Sequence, residues 1–370
     1  MEERRTEDLF EIDGQKMKYH VREVAKWTGE SYVERSGFGP IYVEVSPVGY
    51  CNHRCSFCAV DWLGYKSTRI EGERLCALME EMKVAGVKGV MFAGEGEPLL
   101  HRDLARVVQK AGEVGLDTSI TTNGTMLDAK FARETLPWLS WVKVSLNAGD
   151  EKTYGRVHKG KKGDWGRVWC GVEEMLVERA RLGKRKHQCA VGVQAVCLPD
   201  NAESLVELVR LADEVGVDYV VVKPYSHQGK SLTVRYKDVR YEKLEKELRE
   251  IEKVERKRVR LVVRREAMRS WDAKGREYKK CCAVPYFWAY VASDGKVWGC
   301  SAHIGDANFL LGDVGEKKFG EIWYSEGRKG LDRYVREGLD IVECRKNCRM
   351  EKVNQYLWGV REGVEHQNFI

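Results

Sequence analysis

The stretch at positions 40–59, PIYVEVSPVGYCNHRCSFCA, governs how the rest of the chain reads. Its first half alternates apolar and polar side chains, as a short strand with one buried face does. Its second half places Cys51, Cys55 and Cys58 within eight residues. Structural zinc and iron–sulfur sites take four protein ligands. Three close thiols therefore point either to a distant fourth ligand or to a coordination position left open.

The 370 residues suggest two or three domains. With 43% apolar residues, 11 Trp and 16 Tyr, a sizeable core can form. A net charge of +6 is too balanced to imply nucleic acid. No apolar run has the length of a membrane-spanning helix. The N-terminal MEERRTEDLFEIDG lacks a signal core, so the cytoplasm is the expected location. There, twelve cysteines are not expected to form a disulfide framework. They gather in two groups, Cys51, Cys55 and Cys58 near the start and Cys281, Cys282, Cys300, Cys344 and Cys348 near the end.

Beyond the first cysteines, strand-like segments alternate with helical ones about every 30 residues: KGVMFAG (88–94), LDTSITTNG (116–124), WVKVSLNAG (141–149), CAVGVQAVCLPDN (189–201) and DYVVVKPY (218–225). Six such steps predict an α/β fold with a parallel sheet. Polar residues follow the C-terminal ends of successive strands, which favours a partial (β/α)6 TIM-type barrel. The expected boundaries are an N-terminal extension (1–39), the barrel (40–225), a connecting helix and basic strand (226–280), a small cysteine-rich domain (281–348) and a C-terminal tail (349–370).

CNHRCSFC, with Phe57 before its last cysteine, and the following FAGEGEPLL (92–100) resemble the radical S-adenosylmethionine (SAM) superfamily. The resemblance implies that Cys51, Cys55 and Cys58 hold a 4Fe–4S cluster whose fourth iron is left to SAM. It implies reductive cleavage of SAM to a 5′-deoxyadenosyl radical that abstracts hydrogen from a substrate, with a ferredoxin or flavodoxin as electron donor. Gly94, Gly96, Glu97 and Pro98 match the family's glycine–glutamate–proline motif, whose backbone would meet the SAM amino group. Ser145 and Asn147 stand where relatives contact the SAM ribose or carboxylate, and Lys159 where many carry arginine. The alternative from the residues alone is a zinc knuckle borrowing a ligand from His53 or elsewhere.

The second cysteine group is similar to the SPASM and twitch domains appended to many such enzymes. Only two cysteines follow Cys300, in CRKNC, which matches the single-cluster twitch form more closely. Cys282, Cys300, Cys344 and Cys348 would then hold one auxiliary 4Fe–4S cluster, with Cys281 competing for the first position. A four-cysteine zinc site is the alternative that spacing allows.

Lys223, Tyr225 and His227, after the last barrel strand, are candidates for a substrate-binding edge. Cys197, at a strand end, is a candidate hydrogen donor for an epimerisation, set against its reading as a buried small apolar residue. No leader-peptide-binding domain is expected in the short N-terminal segment. The resemblance implies oxidation or epimerisation of a sugar, cyclitol or nucleotide-sugar. Radical modification of a peptide or protein is the second reading, and a non-catalytic zinc- and RNA-binding protein is a distant third.

Overall fold

The computed structural model describes residues 15–183, 189–273 and 275–368. Residues 1–14 of the expected N-terminal extension, Lys274 of the connecting segment and the last two residues of the tail lie outside the described residues.

Six parallel strands form in the expected order: β1 (Tyr42–Val45), β2 (Gly89–Phe92), β3 (Asp117–Thr122), β4 (Leu139–Ser145), β5 (Ala190–Val196) and β6 (Tyr219–Lys223). One face of this sheet carries Val43, Val45, Val90, Phe92, Ile120, Val142, Val144, Val191, Val193, Ala195, Val220 and Val222, all fully buried beneath helices. The opposite face carries Glu44, Ser119, Thr121, Lys143, Ser145, Gln194 and Lys223, interleaved with Met91, Trp141, Tyr219 and Val221. Because strand side chains alternate, the outer row is almost wholly apolar, with Thr118 and Thr122 its exceptions, while charged and hydroxyl groups are set among apolar ones on the inner wall. The architecture is a partial TIM-type barrel.

The sheet extends past the six expected strands at both edges. β7 (Arg260–Val263) pairs parallel with β6, so the basic segment read as a connector is a barrel strand. At the other edge, β8 (Trp288–Val291) pairs parallel with β1 in full register, Glu44 opposite Tyr290. β9 (Lys296–Trp298) and β10 (Leu310–Asp313) continue antiparallel, giving one ten-stranded sheet. The cysteine-rich module is thus continuous with the barrel through β8.

The C-terminal segment is a docked helix, Glu351–Glu362, with Leu357 fully buried. Its Asn354 Oδ1 accepts from the backbone N–H groups of Cys282 and Ala283 at 2.7 and 2.9 Å. Arg361 stacks over the ring of Trp27 at 4.5 Å, joining the two ends of the described chain.

Candidate active site

The first cysteine loop sits at the C-terminal mouth of the barrel, held from three sides. Gly94 (φ +117°) and Gly96 follow β2, and a Cβ at Gly96 would lie 2.2 Å from the Tyr50 carbonyl. Only glycine permits that approach, which lets Glu97 N donate to Tyr50 O at 2.9 Å. The buried Glu97 carboxylate accepts from Thr122 Oγ1 (2.6 Å), Asn123 N (2.7 Å) and Leu99 N (3.0 Å), locking the end of β2 to the end of β3. Asn123 Nδ2 donates to Asn52 Oδ1 at 2.7 Å, inside the cysteine loop. On the far side, Asp61 accepts from Leu232 N and Thr233 N at 3.0 and 2.8 Å, pinning the loop after β6 against the same cysteines. Glu95, left aside as a spacer in the sequence, donates its backbone N–H to Ser46 and accepts from Ser293 Oγ at 2.7 Å, tying the motif to the module beyond β8.

Burial raises all three thiols, Cys51 to about 11, Cys55 well above the usual cysteine range, and Cys58 upward. Three thiolates crowded into so dry a site need a strongly cationic partner to be ionised together. The donor set therefore fits an iron–sulfur cluster.

His53, Cys55 and His158 place ligand-capable atoms within 4.8 Å of one another, the set a zinc site would draw on. The hydrogen bonds argue otherwise. The backbone N–H of Asn147 donates to His158 Nε2 at 3.0 Å. That nitrogen carries no proton, so in the neutral ring Nδ1 carries it and, 3.5 Å from Cys55 Sγ, donates to the sulfur. His53 Nε2 is engaged by Tyr154 Oη and Asp164 Oδ2 at 3.3 and 3.4 Å. His158 supports a thiolate ligand; it does not replace one.

The predicted SAM-site residues divide. Gly94, Gly96 and Pro98 line the turn beside the cysteine loop, and Ser145 faces the barrel interior. Asn147 is fully buried; its Oδ1 accepts from Val196 N and its carbonyl from Asn201 Nδ2. The chain itself uses those groups to order the mouth. Lys159 is an exposed, left-handed cap (φ +51°) of the helix Glu151–His158, and among the described residues its side chain makes no bond to the cysteine loop. His158, one residue earlier, is the group that meets the sulfur. Its signal in the sequence was only adjacency to the expected basic position.

In the second group the structure brings together Cys281, Cys300, Cys344 and Cys348 around one cavity, closed by apolar side chains including Trp288 and Phe309. Cys281 feels the charge of the other three sulfurs, and burial lifts it well above the usual range. Cys282 points the other way, toward Arg361 and Glu362. Consecutive residues in extended chain face opposite sides, and Asn354 fixes which one faces in. His303 Nε2 lies 3.6 Å from Cys344 Sγ, a neighbour that the sequence did not single out.

Cys197 takes the place of a buried small apolar residue, the reading set against the hydrogen-donor role in the sequence. It continues the helix-facing row of Val193 and Ala195, fully buried, with Glu247 and Arg265 of the outer layer as its charged neighbours. It does not open on the barrel interior, so the hydrogen-donor role is withdrawn. Of the proposed substrate edge, Lys223 points inward, Tyr225 is buried against Tyr236 and Trp271, and His227 lies beside Tyr225 with Nδ1 buried and unpartnered.

A partial barrel with three thiols at its mouth and a four-thiol module on its edge strand defines an iron–sulfur enzyme that uses SAM. Comparison with known proteins agrees. The radical SAM superfamily model matches residues 45–212 and the iron–sulfur cluster-binding SPASM model matches residues 281–349. The chain belongs to the radical SAM superfamily, with a C-terminal SPASM-type domain. Such enzymes hold a SAM-binding 4Fe–4S cluster, and the SPASM domain adds an auxiliary cluster.

An S-adenosylmethionine-dependent nucleotide dehydratase of Lacinutrix mariniflava is 36% identical over 121 residues, 30% of this chain and 25% of that protein. A probable GTP 3′,8-cyclase of Methanothermobacter thermautotrophicus is 33% identical over 127 residues, 33% of this chain and 40% of that protein. The chain thus spans well under half the length of these relatives. Streptococcus suis SuiB bound to S-adenosylmethionine superposes with TM-score 0.61 at 17% identity, covering 86% of this chain and 72% of that one. AdoMet-bound anSMEcpe gives 0.56 at 18%, covering 85% and 88%. At these identities the likeness is one of fold. Among the described residues no helix is long and apolar enough to cross a membrane.

Proposed function

We propose that the protein cleaves SAM reductively and abstracts a hydrogen atom from a hydroxylated small molecule of the sugar, cyclitol or nucleotide-sugar class, at the inner wall of the barrel. The observation that carries this reading is the set of charged and hydrogen-bonding side chains on the inner wall, Glu44, Thr121, Lys143, Ser145, Gln194 and Lys223, set among Met91, Trp141, Tyr219 and Val221. Hydroxyl and charged groups of a substrate would find partners among these side chains. The nucleotide substrates named for the two curated relatives favour the same class.

Bound together, the cluster and SAM supply a hydrogen-atom abstractor, with 5′-deoxyadenosine as by-product. The chain's own part is to hold and exclude. Cys51, Cys55 and Cys58 would hold the first cluster. Gly94 and Gly96 bring backbone close to where SAM would sit. Glu97 and Asn123 stiffen that loop, and the inner row orients the substrate. Cys281, Cys300, Cys344 and Cys348 would hold the auxiliary cluster, completing four ligands, so that it serves electron transfer and not substrate binding. With Cys197 turned to the helix layer, an outcome that releases an electron to that cluster is favoured over epimerisation.

Anaerobically reconstituted protein with SAM and reductant is expected to release 5′-deoxyadenosine faster when one member of a panel of sugars, nucleotide-sugars and peptides is added. Deuterium at the attacked carbon should appear in 5′-deoxyadenosine. Stimulation by peptides alone would overturn the substrate class in favour of peptide modification, the chemistry suggested by the SuiB complex with its precursor peptide.

A further inference from the structure

Lys143, midway along β4, and Lys223, the last residue of β6, project into the barrel. Both are enclosed by protein and still partly accessible, as residues lining an internal wall are. Among the described residues neither has a carboxylate within ion-pair distance; the Trp141 ring, 4.6 Å from Lys143 Nζ, is a weak substitute. Burial, then neighbouring positive charges, holds both ammonium groups low, Lys143 to about 8 and Lys223 well below the usual lysine range. Those neighbours are Lys143 itself beside Lys223, with Lys16, Arg264, Arg345 and Arg349, while Glu44 acts in the opposite sense on Lys143.

The arginines come from two sources. Arg264 follows β7. Arg345 lies within the CRKNC loop and Arg349 directly follows it; the loop is stitched to the barrel mouth by Asn347 Nδ2 donating to Pro224 O at 3.0 Å. Arg349 is matched by Glu44 at 2.5 Å and donates to Tyr42 Oη at 2.9 Å. Arg345 donates to Ser301 Oγ at 3.1 Å, while its Nε is buried without a partner. Among the described residues Glu44 is the carboxylate that acts on Lys143, and it is already paired with Arg349.

Unmatched buried cations are costly and cluster where a ligand completes them. We propose that Lys143, Lys223 and Arg345 form a binding site for the phosphate groups of a nucleotide-type substrate, a di- or triphosphate lying inside the barrel between the two cysteine groups. Three cations exceed what one carboxylate can balance, whereas a diphosphate supplies two to three negative charges and many acceptor oxygens. This inference rests on the proposed radical reaction in the barrel and selects the phosphorylated members of its substrate class.

The test is calorimetric titration of reconstituted, SAM-loaded protein with inorganic pyrophosphate, UDP-glucose, glucose 1-phosphate and glucose, with 5′-deoxyadenosine release measured in parallel. Pyrophosphate and UDP-glucose are expected to bind, more weakly at higher salt, with glucose 1-phosphate weaker and glucose silent. Lys143→Gln and Lys223→Gln should each weaken pyrophosphate by at least about tenfold, Lys223→Arg by much less, with SAM affinity and cluster absorption unchanged. Lysine variants that bind pyrophosphate as tightly as wild type overturn the inference. So does SAM cleavage stimulated by an unphosphorylated sugar or a peptide while no phosphate compound binds, which leaves the radical reading standing. Phosphate binding lost in the glutamine variants, with no SAM cleavage under any condition, supports the anion site and overturns the proposed reaction instead.

Discussion

His158 Nδ1 lies 3.5 Å from Cys55 Sγ while its Nε2 accepts the backbone N–H of Asn147 at 3.0 Å. The second contact fixes the first: a ring that accepts at Nε2 must donate at Nδ1. Hydrogen bonds to cluster sulfurs favour the more negative, reduced form and raise its potential. His158→Gln, which mimics Nε2 but not Nδ1, is expected to lower the first cluster's midpoint potential by roughly 20–80 mV, for a bond worth about 0.5–2 kcal/mol. His158→Asn, which keeps a donor near Nδ1, should hold the wild-type value. Redox titration followed by electron paramagnetic resonance separates them, and equal potentials in all three proteins would remove the assignment.

The cysteine pair at 281 and 282 gives a counting test. Cys281→Ala is expected to reduce iron from about eight to about four per chain after reconstitution. Cys282→Ala should keep about eight, with its only cost the loss of a small buried side chain. The reverse result would put Cys282 at the cluster.

Glu97 is a buried carboxylate that accepts from Thr122, Asn123 and Leu99. Glu97→Gln turns an amide group toward one of these donors, and a cost of about 1–3 kcal/mol follows. Thermal unfolding of the holoprotein should register that loss. SAM affinity should fall with it, because the same bonds hold the glycine turn.

Lys143 couples stability to ligand binding in opposite senses. Its folded-state value near 8 lies below the ordinary 10.5, so the folded protein binds fewer protons than the unfolded chain between those values. Its charge therefore penalises folding in full below about pH 8, and the penalty fades as pH rises toward 10.5. Lys143→Met should raise stability at pH 7 by roughly 1–3 kcal/mol while abolishing pyrophosphate binding. An anion raises the lysine pKa, so at pH 8.5 binding should be accompanied by proton uptake from the buffer onto Lys143 and Lys223. Glu44 and Arg349 are paired with each other at the same wall. Titrations in two buffers of different ionisation enthalpy give the proton count, and zero uptake would contradict the site.

Much of the barrel was legible because apolar runs such as VMF in β2 and VVV in β6 and the glycine-closed helices recur at one period. The first thiol triad was legible because its spacing is local. What escaped is what pairing in three dimensions decides. Nothing local marks RLVV as a seventh parallel strand or WAYV as the neighbour of β1; both follow from edges left open by the first six. The choice of Cys281 over Cys282 depends on Asn354, some seventy residues away. Cys197 was left between two readings for lack of phase: a one-residue error in reading alternation turns a side chain from one face of a sheet to the other. Lys143 was overlooked for the same reason, since a lysine inside WVKVS reads as the solvent face of a strand until the barrel closes around it.

The join between β8 and β1 has a mechanical consequence. Two metal centres carried on separately folded bodies would drift with their hinge, and the rate of any electron hop between them would vary with each swing. Here the pairing of Tyr42 with Trp288 through Val45 with Val291 makes one sheet the common chassis of both. The loops that carry the two sets of sulfurs are thereby rooted in neighbouring strands of one sheet, as two lamps are fixed to one beam.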